Sequence, residues 1–280
     1  MLASRRLPIT RRRSRTSDRL NPHIGGPRNR NRTGTPRECS VEWTCILSQR
    51  FDGNSYPIET STWRRSMKEA FGLRVPQNLQ EIVQPSRCAL IVYDMQVGIV
   101  PQIPSGPGIK SHCVALLGAA RKAGFRIFHT RHFFLPSPGA GVGQLRRAMV
   151  WQRKEEPRDT RCLIPYGSPG FHIVPELEPR EEEVVVDKIT MSAFEGTFLN
   201  LAMRDAGIDS FLIAGIALEI GIEPTVRHAL DLNYMPVVVT DACGAKTEEL
   251  KQRSLETLQE TGEVFMTTTP EVVELLGSQS

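Results

Sequence analysis

The chain predicts an α/β protein whose mostly parallel sheet is covered by helices on both faces. Six apolar runs of strand length carry that reading: CALIVY (88–93), FRIFHT (125–130), EEVVVD (182–187), SFLIAG (210–215), PVVVTD (236–241) and EVFMTT (263–268). Segments with helical spacing separate several of them, and regular βα alternation builds a parallel sheet. The first run adds a third observation. CALIVY shows no alternation of polar and apolar residues, as expected of a strand buried on both faces.

The elements follow in order. Residues 108–123 space Ile109, Val114, Leu116, Leu117 and Ala120 helically, and Gly124 supplies the stop. Further helices are expected at 194–206, 219–232 and 246–261. Residues 131–181 break the rhythm, being long, rich in Pro and Gly, and marked by two aromatic clusters. A loop of that length inside a domain is functional or disordered, and the aromatic residues argue against disorder. It is expected to lie over the carboxyl ends of the strands as a lid, with a short helix near 142–153. The main domain is then 86–280, preceded by an extension, 39–85. Within the extension, TWRRSMKEAFGL (62–73) places apolar side chains outside the βα core.

Charge is unevenly spread. Residues 1–38 hold eleven Arg against Asp18 and Glu38, a net +9; the whole chain is +4, so the remainder is −5. The basic tail has too few apolar residues to bury a core and has the composition of a disordered segment. It reads as a transit peptide, as an arm for an anionic partner, or as an idle extension translated from an upstream start. No aromatic residue interleaves the arginines, so bases would find no stacking platform and a nucleic-acid partner is not expected. No stretch reaches the ~18–20 apolar residues that span a bilayer. The cysteines (39, 45, 88, 113, 162 and 243) show no CxxC spacing. A reducing, cytoplasmic compartment is the expectation.

In open α/β sheets ligands bind beyond the carboxyl ends of the strands. Asp94 ends the first strand, Lys188 follows the strand ending at Asp187, and the turn from Gly215 to Gly221 follows the next. Alone, Asp94 reads equally as a turn residue and Lys188 as a solvated surface lysine. Three motifs that converge on one crevice form a stronger pattern. A carboxylate beside an ammonium titrates as a unit and can supply acid–base help near neutral pH. Residues 217–221 open a helix, whose first N–H groups form an oxyanion-type site.

The strings VYDMQ (92–96), VVVDKITMSAFEGT (184–197) and GIALEIGIEPTVRHA (215–229) resemble those of the isochorismatase-like cysteine hydrolase superfamily. The resemblance covers about residues 86–270. It implies a three-layer α/β/α sandwich of six strands, Rossmann-type, and an Asp–Lys–Cys catalytic trio. Asp94 and Lys188 match the first two members. The position of the nucleophilic Cys holds Gly221. Isochorismatases themselves also carry Gly there and hydrolyse a vinyl ether without a covalent intermediate.

The resemblance further implies a cis peptide just before the helix, which by position falls at Ala217–Leu218, and a homo-oligomer. Gln96, Ala217, Leu218, Glu219 and Gly221 are the expected substrate- and oxyanion-binding residues, with His132 and Trp151 lining the pocket or packing the lid. Glu219 reads equally as a first-turn acid facing the helix dipole, and Glu223 is read that way. Cys243, in TDACGA, reads as structural. His129 and His132 invite a metal reading, but related nicotinamidases need Asp-x-His soon after the first motif and this chain has DMQVGIVPQIPSG. No metal or other cofactor is expected.

The function so read is hydrolysis of a small organic molecule by Asp94/Lys188 acid–base chemistry, on a vinyl ether or an amide-like C–N bond. The alternative is a non-catalytic binding or scaffolding homologue. Since the tail cannot contribute to a core, deleting residues 1–38 should leave the melting temperature almost unchanged, as calorimetry of the two chains would show.

Overall fold

The computed structural model describes residues 67–278; the tail and residues 39–66 lie outside the described residues. Chain entry is a small hairpin of β1 (Lys68–Ala70) and β2 (Leu73–Val75), closed by Phe71 and Gly72, both at positive φ. Two such residues make the turn type whose twist suits a hairpin. The described part of the 62–73 segment is this hairpin, and Phe71 and Leu73 are exposed on it. A short α1 (Leu79–Ile82) follows, capped by the Asn78 carboxamide accepting from the Glu81 N–H at 3.1 Å.

The domain is one six-stranded, fully parallel sheet. Its strands are β3 (Cys88–Tyr93), β4 (Arg126–His132), β5 (Val184–Lys188), β6 (Ser210–Ile216), β7 (Met235–Gly244) and β8 (Phe265–Thr267), ordered β5-β4-β3-β6-β7-β8. Each expected strand is present, and β3 has the bounds read from CALIVY. Every β3 residue is buried, because the pleat sends Leu90 and Val92 into one core layer and Ala89, Ile91 and Tyr93 into the other. The first layer packs on α2 (Gly106–Lys122) and α7 (Thr269–Gly277). The second packs on α4 (Leu199–Asp205), α5 (Glu223–Asp231) and α6 (Glu248–Gln259). Strand order reverses between β3 and β6, which places the crevice of such a sheet beyond the ends of those two strands.

Helices α1 and α7 were not among those expected, and two expected helices differ in how they begin. The one expected at 194–206 begins only at Leu199. Thr190 and Thr197 hydroxyls hold backbone carbonyls of residues 192, 195 and 193, and Gly196 sits at φ 69°, so the MSAFEGT segment is a chain of turns. The one expected at 219–232 opens as a π-turn, Leu218–Ile222, before α5. Pro224 has no N–H to give the Ile220 carbonyl, so the first turn widens. The insertion carries α3 (Val142–Gln152), matching the short helix expected there. β4 runs on to His132 and β5 starts at Val184, which shifts the excursion by two residues, to 133–183. Strand-like contacts tie it down: the Val97 N–H donates to the His172 carbonyl at 2.9 Å and the Val174 N–H to that of Met95 at 3.0 Å.

At the other end of the sheet lies a buried charge cluster. The Glu183 carboxylate receives Arg121 Nε at 2.6 Å, Arg121 Nη2 at 2.9 Å and His129 Nε2 at 2.9 Å, and its side chain is 3 % exposed. Burial pushes the Glu183 carboxyl up, but Arg121, the Arg180 N–H and His129 outweigh it and hold it at about 2. Burial also keeps His129 neutral, against the pull of Glu183. Removing one member of a buried charged set leaves the others unpaired, at about 3 kcal/mol or more. Glu183→Gln should therefore destabilise by about that much in urea melts. Glu183 is held below its ordinary 4.5, so its contribution is complete above that pH and fades towards about 2. The acid limb across that window should be shallower in the variant.

Candidate active site

The carboxyl ends of β3, β4, β5 and β6 meet at a cavity of about 340 Å³ with a mainly apolar wall. Asp94 leaves β3 at φ 48°, in the left-handed region that few L-residues adopt. Such a conformation costs on the order of 1–3 kcal/mol and persists only where the surroundings impose it. Those surroundings are visible. Thr130 Oγ1 accepts from the Asp94 N–H at 3.0 Å and donates to Oδ1 at 2.5 Å. Lys188 Nζ, at the end of β5, donates to Oδ2 at 2.7 Å and to the Thr190 carbonyl at 3.3 Å. The expected pair is thus formed across three neighbouring strands.

Its two members differ in access. Asp94 lies on the cavity wall, whereas the Lys188 side chain is fully buried and absent from the wall. Its ammonium stands 4.3 Å from the centroid of the Tyr93 ring. Burial pushes the Lys188 ammonium down, and Asp94 opposes the shift. Lys188 therefore meets the cavity only through its contact with Asp94.

Of the other expected residues, Ala217, Glu219, Gly221, His132 and Trp151 all line the cavity. Gln96 does not. Its Nε2 donates to the His132 and Phe171 carbonyls at 3.0 and 2.8 Å and its Oε1 accepts from the His132 N–H at 2.6 Å, with no exposed surface. It braces β4 and the insertion behind the cavity, with both donor hydrogens committed to backbone. Leu218 is likewise turned away, fully buried in the core layer beneath α5. The Gly221 N–H is used inside the opening turn, donating to the Ala217 carbonyl at 2.9 Å, so it is not a spare oxyanion donor. The cis peptide is present one residue earlier than expected, at Ile216–Ala217.

His132 is buried, and neither ring nitrogen has a protein partner. Burial, then the Lys188 and Arg147 charges, push it down to about 3, so the ring is neutral near pH 7. Glu219 Oε1 accepts from the Lys246 N–H at 3.0 Å, while Oε2 is buried without a protein partner. Arg147, four residues before Trp151 on α3, sets its guanidinium 5.7 Å from the centroids of both Phe134 and Trp151, which line the cavity. The i, i+4 spacing of Arg147 and Trp151 is a visible signal for that placement, and the sequence reading passed over it. It also passed over Tyr93, taken only as the last residue of a strand.

Cys243 is fully buried and burial pushes its thiol up to about 12. No described cysteine lies on the cavity wall. Among the described residues no group of three His, Cys, Asp or Glu side chains is arranged to hold a metal ion, and no helix is long and apolar enough to cross a membrane.

The fold and the site together define a Rossmann-type parallel sheet with a buried Asp–Lys pair at its carboxyl edge. Residues 88–270 match the isochorismatase domain, and the chain belongs to the isochorismatase family. It is 30 % identical over 169 residues to the uncharacterized isochorismatase family protein YwoC of Bacillus subtilis (strain 168), spanning 60 % of this chain and 84 % of that one. It is 25 % identical over 183 residues to the ureidoacrylate amidohydrolase RutB of Acinetobacter baylyi, spanning 60 % and 74 %. The crystal structure of a cysteine hydrolase from Pseudomonas syringae pv. phaseolicola 1448A superposes with a TM-score of 0.62 over 71 % of this chain and 96 % of that one. At 24 % identity that likeness is one of fold.

His132 yields a prediction. Its folded value, about 3, lies below the ordinary 6.5, so the unfolded chain takes up the proton first and stability falls as pH drops from 6.5 towards 3. His132→Phe keeps a ring against Phe134, now 4.8 Å from the imidazole, and cannot ionise. Denaturant titrations should find similar stability at pH 7 and a flatter decline across that window.

Proposed function

We propose that this hydrolase cleaves a small organic molecule with water as the direct nucleophile, using Asp94 as its acid–base group. The observation that carries the reading is the 2.7 Å Asp94–Lys188 pair at the edge of a cavity on whose wall no described cysteine lies. Gly221 occupies the position that the family resemblance assigns to the nucleophilic thiol, and a hydrogen atom offers no covalent route.

An amide-like C–N bond suits the pair in its ionised form. The Asp94 carboxylate, paired with Lys188, takes a proton from water as the water oxygen attacks the carbonyl carbon. The same proton passes to the nitrogen as the C–N bond breaks, and Asp94 is regenerated. The amidohydrolase named among the relatives supports this bond type. Vinyl-ether hydrolysis is the second reading, and one observation favours it. Gly221 stands where, by the family resemblance, isochorismatases also carry Gly, and in that chemistry a proton on Asp94 passes to the enol-ether carbon before water adds.

The test is a panel of small amides, ureido acids and vinyl ethers, with product detection by mass spectrometry. Asp94→Asn fills nearly the same volume and cannot exchange the proton, so turnover should fall by roughly 10²–10⁴. Iodoacetamide should leave the parent enzyme active. No turnover that depends on Asp94 anywhere in the panel would favour the non-catalytic alternative, and inactivation mapped to Cys243 would restore a thiol mechanism.

A further inference from the structure

Glycine at position 221 is not required by backbone conformation. Seven described glycines have positive φ and Gly221 is not among them. It lies in the turn that opens α5, where alanine is ordinarily tolerated or preferred. The constraint is volume. A Cβ built on Gly221 falls 2.5 Å from Cε1 and 2.6 Å from Cζ of Tyr93, and nearer still to its hydroxyl oxygen, well inside the 3.0 Å that real Cβ atoms respect.

Tyr93 cannot readily yield that space. It is 1 % exposed and packed in the core layer with Ala193, Phe194 and Leu218. Its hydroxyl donates to the Met191 carbonyl. The Lys188 ammonium rests 4.3 Å from the ring centroid, within cation–π range. Burial first, and then the Asp94 charge, keep the phenol neutral. One ring therefore meets both the site where a side chain at 221 would stand and the ammonium that pairs with Asp94.

We propose that Tyr93 is a positioning residue of this site: its ring occupies the volume of any side chain at 221 and stands between Lys188 and the opening turn of α5, so that Asp94 is, among the described residues, the one side chain to which Lys188 donates. This deepens the thiol-free reading of the same site, and its consequences appear without any substrate. A thiol placed at 221 is not enough to give Lys188 a nucleophile to activate, because Tyr93 must leave as well.

The test is a double-mutant cycle in the full chain, read by thermal midpoint. Gly221→Ala, neutral or favourable on an ordinary helix, should lower the midpoint by several degrees. The loss should persist beside Tyr93→Phe, which keeps the ring carbons, and should vanish or reverse beside Tyr93→Val. Equal losses from Gly221→Ala in all three backgrounds would overturn the shared volume. The second measurement is iodoacetamide alkylation at position 221, mapped by peptide mass. In Tyr93→Val/Gly221→Cys the thiol should react at pH 7 about tenfold faster than free cysteine, as a cationic neighbour and a helix start allow. Gly221→Cys alone should show no such gain, and adding Lys188→Met to the double variant should remove it. Fast alkylation in Gly221→Cys alone, or a gain indifferent to Lys188→Met, would overturn the separation of Lys188 from the turn. Both measurements ignore turnover, so they can fail while the proposed reaction stands, and the reverse.

Discussion

The ion pair between Asp94 and Lys188 is the contact around which this end of the molecule is arranged. It joins the ends of two strands, β3 and β5, that are not neighbours, with β4 between them supplying Thr130 as the third partner. Each member is expensive to bury. Replacing a buried pair by well-packed apolar residues is often neutral or stabilising by about 1–4 kcal/mol, whereas deleting one partner costs about 3–5 kcal/mol. Stability therefore explains why neither residue can be lost alone, but not why the pair is there. The left-handed backbone at Asp94 is a second cost at the same place. The proposed reaction would account for both costs, which fall on one residue at the cavity wall.

The space around the pair is as constrained as its charge. Gly215 runs past β3 at φ 137°, and a Cβ there would meet the Tyr93 backbone. Gly221 faces the Tyr93 side chain. The two glycines that bracket the opening of α5 thus answer to one tyrosine, by main chain and by ring. That close approach lets β6 deliver Ala217 and Gly221 to the cavity while the ring stays beneath them. Gln96 serves the same end differently. By taking two carbonyls and one N–H into a single buried carboxamide, it fixes the end of β4 and the insertion relative to Asp94.

The six strands and the placement of Asp94 and Lys188 at their carboxyl ends were legible in the sequence, because continuous apolar runs mark buried strands and strand ends dictate which residues share an edge. Side-chain roles were less so. Gln96 sits two residues from Asp94 in a motif that suggests binding, yet its partners lie 36 and 75 residues away. Glu183, read only as part of the strand EEVVVD, gains its meaning from Arg121 and His129 on other elements. The late start of α4 turns on two threonine hydroxyls and one glycine, which a propensity reading averages away. Tyr93 was hidden by its own fit. A tyrosine that closes a buried strand looks like core, and only the position of a Cβ that is not there shows what the ring excludes.

Unmet hydrogen-bonding demand is concentrated at the same cavity. Among the described residues, five buried side-chain atoms lack a protein partner. One is His129 Nδ1; the others are both nitrogens of His132, Glu219 Oε2 and Arg147 Nε. His132 and Glu219 line the cavity, and Arg147 stands over two rings that do. The same atoms set the terms for a ligand. A neutral imidazole offers one donor and one acceptor, a carboxylate oxygen accepts, and a guanidinium nitrogen donates. Under the proposed reaction, a polar molecule could pair with these atoms, whereas an apolar molecule of equal size would leave them without a partner. Discrimination of that kind comes from leaving polar atoms unpaired against the wrong partner. It asks for atoms held still, which Gln96 and the anchored insertion provide.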